Sequence, residues 1–178
     1  RLDFFYELQK LLPPGSAHIY GGCGQPCPCP GRNESDACYR ELFSQYSFYA
    51  AFENSRCDGY ITEKFWRGIM HGMVPLALGG MSRQDYSRLA PDDAFLHVDD
   101  FASAQDLANH MVDIGRNADK YNQFFAWRSR FQLESREPMA ERSFCELCEA
   151  LTPTKRRRPT RTFGDLERWW YQESCITF

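Results

Sequence analysis

Short apolar runs alternate along the chain with stretches in which apolar residues recur every three or four positions. Leucine and phenylalanine recur at that helical spacing from Leu2 to Leu12, and Pro13 ends the predicted helix. Runs of strand length that are mostly apolar follow, at residues 17–20, 46–52, 73–78 and 94–101. The run at 46–52 is aromatic, which is typical of a strand buried on both faces of a parallel sheet. Pro75 argues against a central position for the run that contains it.

Helix signals separate these apolar runs. Thr62 is a suitable N-cap for a helix that continues to about His71, and a short helix containing Tyr86 follows the third run. Ser103 and Asn117 each precede a further helical pattern. Strands that alternate with helices predict an α/β fold with a Rossmann-like, doubly wound parallel sheet.

Composition and charge narrow the class of protein. The 178 residues suit one domain, and an aromatic content of 15% favours a packed core over a disordered chain. A net charge of −3 gives no electrostatic footprint for nucleic acid, and we interpret the basic run 155–158 as a solvated loop. No apolar run approaches the roughly 20 residues of a membrane span, so any anchor is expected outside this sequence.

The cysteines admit three explanations, namely disulfides, zinc ligands and free thiols. Four of the eight lie in residues 21–38, which are rich in glycine and proline and are predicted to form a disulfide-bonded surface loop. Cys145 and Cys148 form a CxxC pair that suits any of the three explanations. The sequon at Asn33 favours an oxidising, secretory setting and therefore disulfides, while its glycosylation is left open.

Polar side chains follow the aromatic run in the segment 52–66, which reads FENSRCDGYITEKFW. In open α/β sheets, ligands bind beyond the carboxyl ends of the strands, where helix N-termini point N–H groups at anions. Lys64 is a cation suited to a diphosphate, and Glu63 can accept hydrogen bonds from ribose hydroxyls. Asn54 and Tyr60 offer further hydrogen bonds. The alternative is that Glu63 and Lys64 are ordinary residues of a first helical turn, since no GxGxxG or Walker motif is present.

Longer strings are far more specific than this spacing. Residues 46–80 read YSFYAAFENSRCDGYITEKFWRGIMHGMVPLALGG, and AFLHVDDFASAQDLANHM and NADKYNQFFAWR follow. The series resembles the C-terminal domain of the α1,3-fucosyltransferases. That family combines an aromatic strand with F-E-N-S, Y-I-T-E-K-F-W, a V-P strand ending in glycine, H-V-D-D-F and Y-x-x-F/Y-x-x-W. The resemblance runs from Arg1 to the C-terminus.

The resemblance implies a fold, a reaction and a set of binding residues. The fold is the nucleotide-sugar-binding, C-terminal half of a GT-B glycosyltransferase. The reaction is an inverting transfer of fucose from GDP-fucose to a GlcNAc hydroxyl in α1,3 linkage. The family residues that contact GDP-fucose correspond here to Arg1, Asn54, Tyr60, Glu63 and Lys64. Arg1 and Lys64 are expected to stabilise the leaving diphosphate.

The resemblance also places the catalytic base elsewhere. The general base of the family is a glutamate of the N-terminal domain, so no catalytic base is expected in this sequence. We expect this chain alone to bind GDP or GDP-fucose weakly and to transfer nothing. Glu53 is interpreted as an acceptor of backbone or arginine hydrogen bonds. No metal and no tightly bound cofactor are expected, and Asp99 and Asp100, the nearest candidate metal ligands, are interpreted as strand-end caps.

The remaining expectations concern organisation, partners and location. Residues 1–152 are expected to bind the nucleotide sugar, and residues 153–178 to form a tail that packs back on this domain. The acceptor is expected to be an N-glycan or a lactosamine-type glycan, and the location the lumenal side of the Golgi membrane. The partners of Cys145 or Cys148 are expected outside this sequence. Two alternatives stay open here, another GT-B transferase that uses a different nucleotide sugar and a non-catalytic, secreted glycan-binding module.

Overall fold

A computed structural model of the chain describes residues 1–29, 37–134, 136–152, 162 and 164–176. The strands are β1 (Phe48–Phe52), β2 (Arg56–Cys57), β3 (Val74–Leu78), β4 (Leu96–His97) and β5 (Cys175–Ile176). The α-helices are α1 (Leu2–Leu11), α2 (Ala37–Ser44), α3 (Glu63–Met70), α4 (Arg83–Ser87), α5 (Ala104–Gly115), α6 (Ala118–Gln123) and α7 (Arg136–Leu151). Short 3-10 turns cover Asp92–Ala94, Val98–Asp100 and Ala126–Ser129, and a π-helical turn covers Arg168–Glu173.

Three parallel strands in the order β1-β3-β4 form the central sheet of the described residues. The side chains of β3 alternate between two apolar clusters. Leu76 and its neighbours on the same face pack with α1 and α5, whereas Ala77 packs with α3 and Tyr86 of α4. Helices therefore cover both faces of a parallel sheet, which confirms the predicted Rossmann-like α/β class.

Gly68 allows α3 to pack directly on the sheet. A Cβ atom built on this residue would lie 2.9 Å from Cγ of Pro75 and 3.3 Å from Cβ of Tyr49. Pro75 lies in the middle strand, so the argument from proline against a central position is wrong. The N–H of Val74 donates to Ser47 on the β1 side, and β4 pairs with β3 only at residues 76 and 77. The missing N–H of Pro75 therefore faces no described strand.

The N-terminal part of the chain departs from the prediction in two places. The prediction of a strand at 17–20 is wrong, since this stretch contributes only an isolated bridge between Tyr20 and Gln25. Side chains hold it instead, because the hydroxyl of Tyr46 lies 2.8 Å from that of Tyr20 and 2.9 Å from Nδ1 of His18. Helix α2 was not predicted, because it begins directly after the glycine- and proline-rich stretch.

Two predicted strands are shorter than expected. The strand predicted at 94–101 ends at His97, because Nδ1 of His97 accepts the N–H of Asp99 at 3.3 Å and the chain turns into a 3-10 helix. The strand predicted at 46–52 begins at Phe48. It is an edge strand of the described sheet, and only its last two residues, Ala51 and Phe52, are fully buried. Burial on both faces, as predicted for this run, is therefore confirmed only at its carboxyl end.

Disulfides account for half of the cysteines. Cys29 pairs with Cys38 inside the predicted surface loop, and Cys57 pairs with Cys175 across 118 positions of sequence. The other four, Cys23, Cys27, Cys145 and Cys148, are free thiols. The sequon at Asn33 and the basic run 155–158 lie outside the described residues. Among the helices that are described, none is both long and apolar enough to cross a bilayer.

Candidate functional site

The candidate site lies at the carboxyl edge of the sheet, where the predicted polar segment leaves β1. Glu53 extends the pairing of β1 by one residue, since its N–H donates to the carbonyl of Leu78 at 2.8 Å. Successive side chains of an extended strand point to opposite faces. Glu53 accordingly contacts the start of α3, and Asn54 contacts the start of α1. The strand end therefore divides the site between the two faces of the sheet.

Arg1 and Asn54 occupy the α1 face. The guanidinium of Arg1 donates a hydrogen bond to Oδ1 of Asn54 and another, at 3.2 Å, to the carbonyl of Phe52. The ring of Phe4 packs on that of Phe52 with their centroids 5.8 Å apart, which fixes the start of α1 over the end of β1. The structure thus brings an exposed arginine and an exposed amide, two of the predicted site residues, into contact.

A hydrogen-bond network around Glu53 occupies the α3 face. Glu53 is 0% exposed. Its Oε1 accepts the N–H of Thr62 at 2.8 Å, and its Oε2 accepts the hydroxyl of Thr62 at 2.7 Å. The ammonium of Lys64 lies 3.4 Å from the same Oε2 and 2.9 Å from Oγ1 of Thr62. The backbone part of the expectation for Glu53 is confirmed, whereas the charged partner is Lys64 and not an arginine.

Glu63 supplies the exposed partner of Lys64. Its Oε1 lies 3.3 Å from Nζ of Lys64, and its side chain is 62% exposed against 18% for the lysine. Partial burial acts to raise the pKa of Glu63. A hydrogen bond from its own backbone N–H and the charge of Lys64 outweigh this effect and lower that pKa below its ordinary value. Glu63 is therefore an ionised acceptor at neutral pH, beside the cation.

Tyr86 lies on the buried side of the site, next to Gly79. It is 0% exposed, and its hydroxyl has no hydrogen-bond partner among the described residues. Burial, and then the charge of Glu53, raise the pKa of this hydroxyl above its ordinary value. A Cβ atom built on Gly79 would lie 3.2 Å from that hydroxyl and 3.3 Å from Cγ of Glu53. Gly79 is thus the residue that lets Tyr86 and Glu53 pack against the same backbone.

Two arginines cross the ends of β3 and β4. Arg56 donates to the carbonyl of Gly79 at 3.1 Å and pairs with Asp99 at 2.6 Å, and Arg83 pairs with Asp100 at 2.7 Å. The interpretation of Asp99 and Asp100 as strand-end caps is therefore incomplete, because their carboxylates form ion pairs with two arginines. Within the described residues, no group of three or more His, Cys, Asp or Glu side chains is arranged to hold a metal ion.

Tyr60 lies on the side of the site that faces the C-terminal residues. Its ring packs edge to face on that of Trp170, with centroids 6.4 Å apart. The N–H of Asp58 donates to the carbonyl of Ser174 at 2.7 Å, next to the disulfide between Cys57 and Cys175. The segment that carries Tyr60 is therefore attached covalently and by hydrogen bonds to the C-terminal strand β5.

The structure places all five predicted residues near the carboxyl edge of the sheet, in three groups. Arg1 contacts Asn54, Glu63 contacts Lys64, and Tyr60 contacts the C-terminal residues. Sequence reasoning missed the bridging hydroxyl of Thr62, which had been identified only as a helix cap, and the roles of Tyr86, Gly79 and Arg56. For Arg56 the sequence contains no signal, because Gly79 and Asp99, which it contacts, lie at other strand ends.

Comparison with known proteins adds independent information. The family model described as glycosyltransferase family 10 (fucosyltransferase), C-terminal, matches residues 1–169. Glycoprotein 3-alpha-L-fucosyltransferase A of Drosophila melanogaster is 34% identical over 170 residues, which are 96% of this chain and 32% of the relative. Alpha-(1,3)-fucosyltransferase 7 of Homo sapiens is 41% identical over 141 residues, which are 79% of this chain and 39% of the relative.

A third relative carries a name with a different linkage. The human 3-galactosyl-N-acetylglucosaminide 4-alpha-L-fucosyltransferase FUT3 is 36% identical over 165 residues, which are 92% of this chain and 42% of the relative. The chain therefore spans about a third to two fifths of the length of these three relatives.

Proposed function

Because the chain belongs to the C-terminal domain family of glycosyltransferase family 10, the fucosyltransferases, we propose that it binds GDP-fucose for the transfer of fucose to a glycan. The transfer inverts the anomeric configuration and forms an α1,3 linkage to a GlcNAc hydroxyl. The names of the Drosophila relative and of human fucosyltransferase 7 support this linkage. The acceptor is an N-glycan or a lactosamine-type glycan.

The observation that carries this proposal is the pair of cations at one edge of the sheet. Arg1 reaches the end of β1 from the α1 face, and Lys64 reaches it from the α3 face. The residues they contact there, Asn54 and Glu53, are consecutive in sequence, so their Cα atoms are about 3.8 Å apart. Two cations that contact consecutive residues at one strand end, beside the N-terminus of an eight-residue helix, suit the two phosphates of a nucleoside diphosphate.

The reaction requires two charges to be stabilised. As the bond between the fucose anomeric carbon and the diphosphate oxygen breaks, the diphosphate gains negative charge, and we assign its stabilisation to Arg1 and Lys64. This positive charge performs the role that a metal ion would otherwise perform, so we propose a reaction that needs no metal. Glu63 accepts hydrogen bonds from the ribose hydroxyls, and Asn54 and Tyr60 make further contacts with the donor.

The second charge is the proton that the acceptor hydroxyl must lose. Glu53 is a poor candidate for the base, because it is fully buried and its two oxygens already accept hydrogen bonds from Thr62 and Lys64. We therefore propose that a carboxylate outside these residues removes the proton. Acceptor recognition belongs to that same part of the enzyme, so residues 1–178 alone transfer nothing.

The C-terminal residues complete the donor site. We propose that residues 1–152 form the nucleotide-sugar-binding domain and that residues 153–178 form a tail that packs back on it. The disulfide between Cys57 and Cys175 and the contact between Tyr60 and Trp170 support this division. The two disulfides also support an oxidising compartment, and we propose the lumenal side of the Golgi membrane.

Thermal unfolding with a panel of nucleotides tests the proposal. At about 100 times the dissociation constant, a bound ligand stabilises a protein by about 2.7 kcal/mol, which raises Tm by about 5 to 10 °C for a domain of this size. We expect this shift with GDP and GDP-fucose and a much smaller one with UDP. The variant Lys64→Met is expected to lose the shift.

Each other result contradicts the proposal in a specific way. A preference for UDP would assign the site to a transferase with a different nucleotide sugar. An absence of any shift, in a protein that unfolds cooperatively, would favour a secreted glycan-binding module. An undiminished GDP shift in Lys64→Met would mean that the nucleotide binds away from the candidate site.

A further inference from the structure

We infer that Glu53 is a positioning residue of the donor site, which holds Lys64 through Thr62 so that one N–H of the ammonium stays directed at the diphosphate. The inference rests on the proposed function, because it assumes that Lys64 contacts a nucleoside diphosphate. It adds a residue that does not itself touch the ligand. Its basis is the geometry of three consecutive contacts on the α3 face.

The donors of Lys64 divide between a buried and an exposed side. An ammonium group has three N–H donors and no acceptor. Two acceptors lie on the buried side, Oε2 of Glu53 at 3.4 Å and Oγ1 of Thr62 at 2.9 Å from Nζ. The third, Oε1 of Glu63 at 3.3 Å, belongs to a side chain that is 62% exposed. A diphosphate can therefore replace Glu63 at the ammonium while both buried contacts persist.

The surroundings hold Glu53 in one orientation. Its two oxygens accept different donors of Thr62, the N–H at 2.8 Å and the hydroxyl at 2.7 Å, so rotation of the carboxylate breaks both hydrogen bonds. Gly79 packs against its methylene groups on the other side, where a built Cβ would lie 3.3 Å from Cγ of Glu53. A carboxylate fixed on both sides gives Thr62, and through it Lys64, a single position.

The inference is tested by measuring the affinities of isosteric variants of Glu53 and Thr62 for GDP and for guanosine. Glu53→Gln keeps the shape. Its amide oxygen is needed where the N–H of Thr62 donates, so an NH2 group, which cannot accept from the ammonium, replaces the oxygen next to Lys64. We expect GDP binding by the purified protein, measured by calorimetry, to weaken about tenfold. Guanosine binding, measured by ligand-observed NMR, should change by less than about twofold, because guanosine has no phosphate for Lys64 to contact.

Thr62 provides the matched pair of variants. Thr62→Val removes the hydroxyl that links Glu53 to Lys64 and should weaken GDP binding as Glu53→Gln does. Thr62→Ser retains both a hydroxyl and the ability to cap α3, and it should restore most of the affinity lost in Thr62→Val. Asp113→Asn removes an exposed carboxylate that pairs with Lys120 far along the chain, and it should leave the affinity unchanged.

The outcomes separate this inference from the proposed function. If the unmodified protein binds GDP and Lys64→Met does not, while Glu53→Gln and Thr62→Val bind GDP normally, the positioning role is wrong and the proposed function stands. If both variants lose guanosine and GDP affinity to the same extent, Glu53 acts only in folding, which also overturns the inference. If the unmodified protein binds no guanine nucleotide, both proposals fail.

Discussion

Lys64 contacts a carboxylate that has no access to solvent, so its replacement has two separable consequences. Lys64→Met removes a cation from the proposed diphosphate site, and the loss of one charged hydrogen bond, worth about 1.5 to 3 kcal/mol, should weaken GDP binding roughly ten- to hundredfold. It also leaves the buried Glu53 without a charged partner. Removing one member of a buried ion pair costs about 3 to 5 kcal/mol. We expect about 2 to 3 kcal/mol here, since both hydrogen bonds from Thr62 remain.

A double variant separates these two consequences. Glu53→Gln combined with Lys64→Met removes both charges, so its free energy of unfolding in urea should recover most of the stability lost in Lys64→Met, while GDP binding stays lost. Lys120→Met breaks an exposed ion pair with Asp113 and should change stability by less than about 0.5 kcal/mol. Equal stability of Lys64→Met and the unmodified protein would show that Glu53 does not depend on this cation.

Sequence alone singled out Lys64, Glu63 and Thr62 and predicted a backbone hydrogen bond to Glu53, but it did not predict that Glu53 is fully buried. Lys64, Glu63 and Thr62 are recognisable because a helix start after a buried strand is a local pattern. The burial of Glu53 is not local, since it depends on Gly79 and Tyr86, which approach it only after the chain has crossed to β3 and α4. A carboxylate beside a strand carries no mark in the sequence that distinguishes a buried position from an exposed one.

Helix α3 is the element that joins the site to the sheet, and Gly68 sets its distance from the strands. Gly68→Ala gains about 1 kcal/mol of helix propensity but places a methyl group 2.9 Å from the rigid ring of Pro75. Overpacking costs about 1 to 3 kcal/mol, so we expect a net loss of about 1 kcal/mol in urea unfolding. Gly115 ends α5 with nothing within 4 Å of a built Cβ, and Gly115→Ala should be neutral or stabilising.

Gly115→Ala is the control for Gly68→Ala. Both replace a helical glycine by alanine, so a difference between them reports the close contacts with Pro75 and Tyr49. If Gly68→Ala proved as stable as Gly115→Ala, the helix would be free to move away from the sheet. The position of Thr62 and Lys64 at its N-terminus would then not be fixed by packing.

Elements with a local signature were predicted well, and those that depend on distant partners were not. Helices α3 and α5 begin at residues that cap them, since Thr62 accepts the N–H of Lys64 and Ser103 accepts that of Asp106. The apolar run at 17–20 resembles a strand equally well but finds no partner beyond one bridge. Proline in β3 is tolerated because β4 is short, and that length was not visible in the sequence.

The whole molecule is closed by a disulfide between distant parts of the chain. In the chain-entropy model, stabilisation grows with the logarithm of the number of residues enclosed. Cys57 and Cys175 are 118 positions apart, whereas Cys29 and Cys38 are nine apart. Replacing the long-range pair by serine should therefore cost about 2 kcal/mol more than replacing the short-range pair. Urea unfolding of the two double variants under non-reducing conditions measures the difference.

A functional readout distinguishes the two disulfides further. Loss of the long-range pair frees the segment that carries Tyr60, so GDP binding should weaken in that double variant and not in the other. Equal stability of both variants would indicate that the ladder of β2 and β5 holds the chain end without the covalent link.

For the molecule as a whole, the sequence predicted the fold class and showed the resemblance to a family. It did not predict which cysteines form disulfides. Eight cysteines allow 105 complete pairings, and spacing cannot choose among them. The pairing of Cys57 with Cys175 follows from β2 meeting β5, which are two residues long each and too short to be recognised as strands.

The disulfide between Cys57 and Cys175 also sets an order of events during synthesis and folding of the chain. Cys57 leaves the ribosome well before its partner has been translated, since 118 positions separate the two. During that interval its thiol can react with other cysteines already synthesised, so a non-native disulfide can form before the native one. The segment that carries Tyr60, a residue of the proposed donor site, is consequently finished last, after synthesis has passed residue 175.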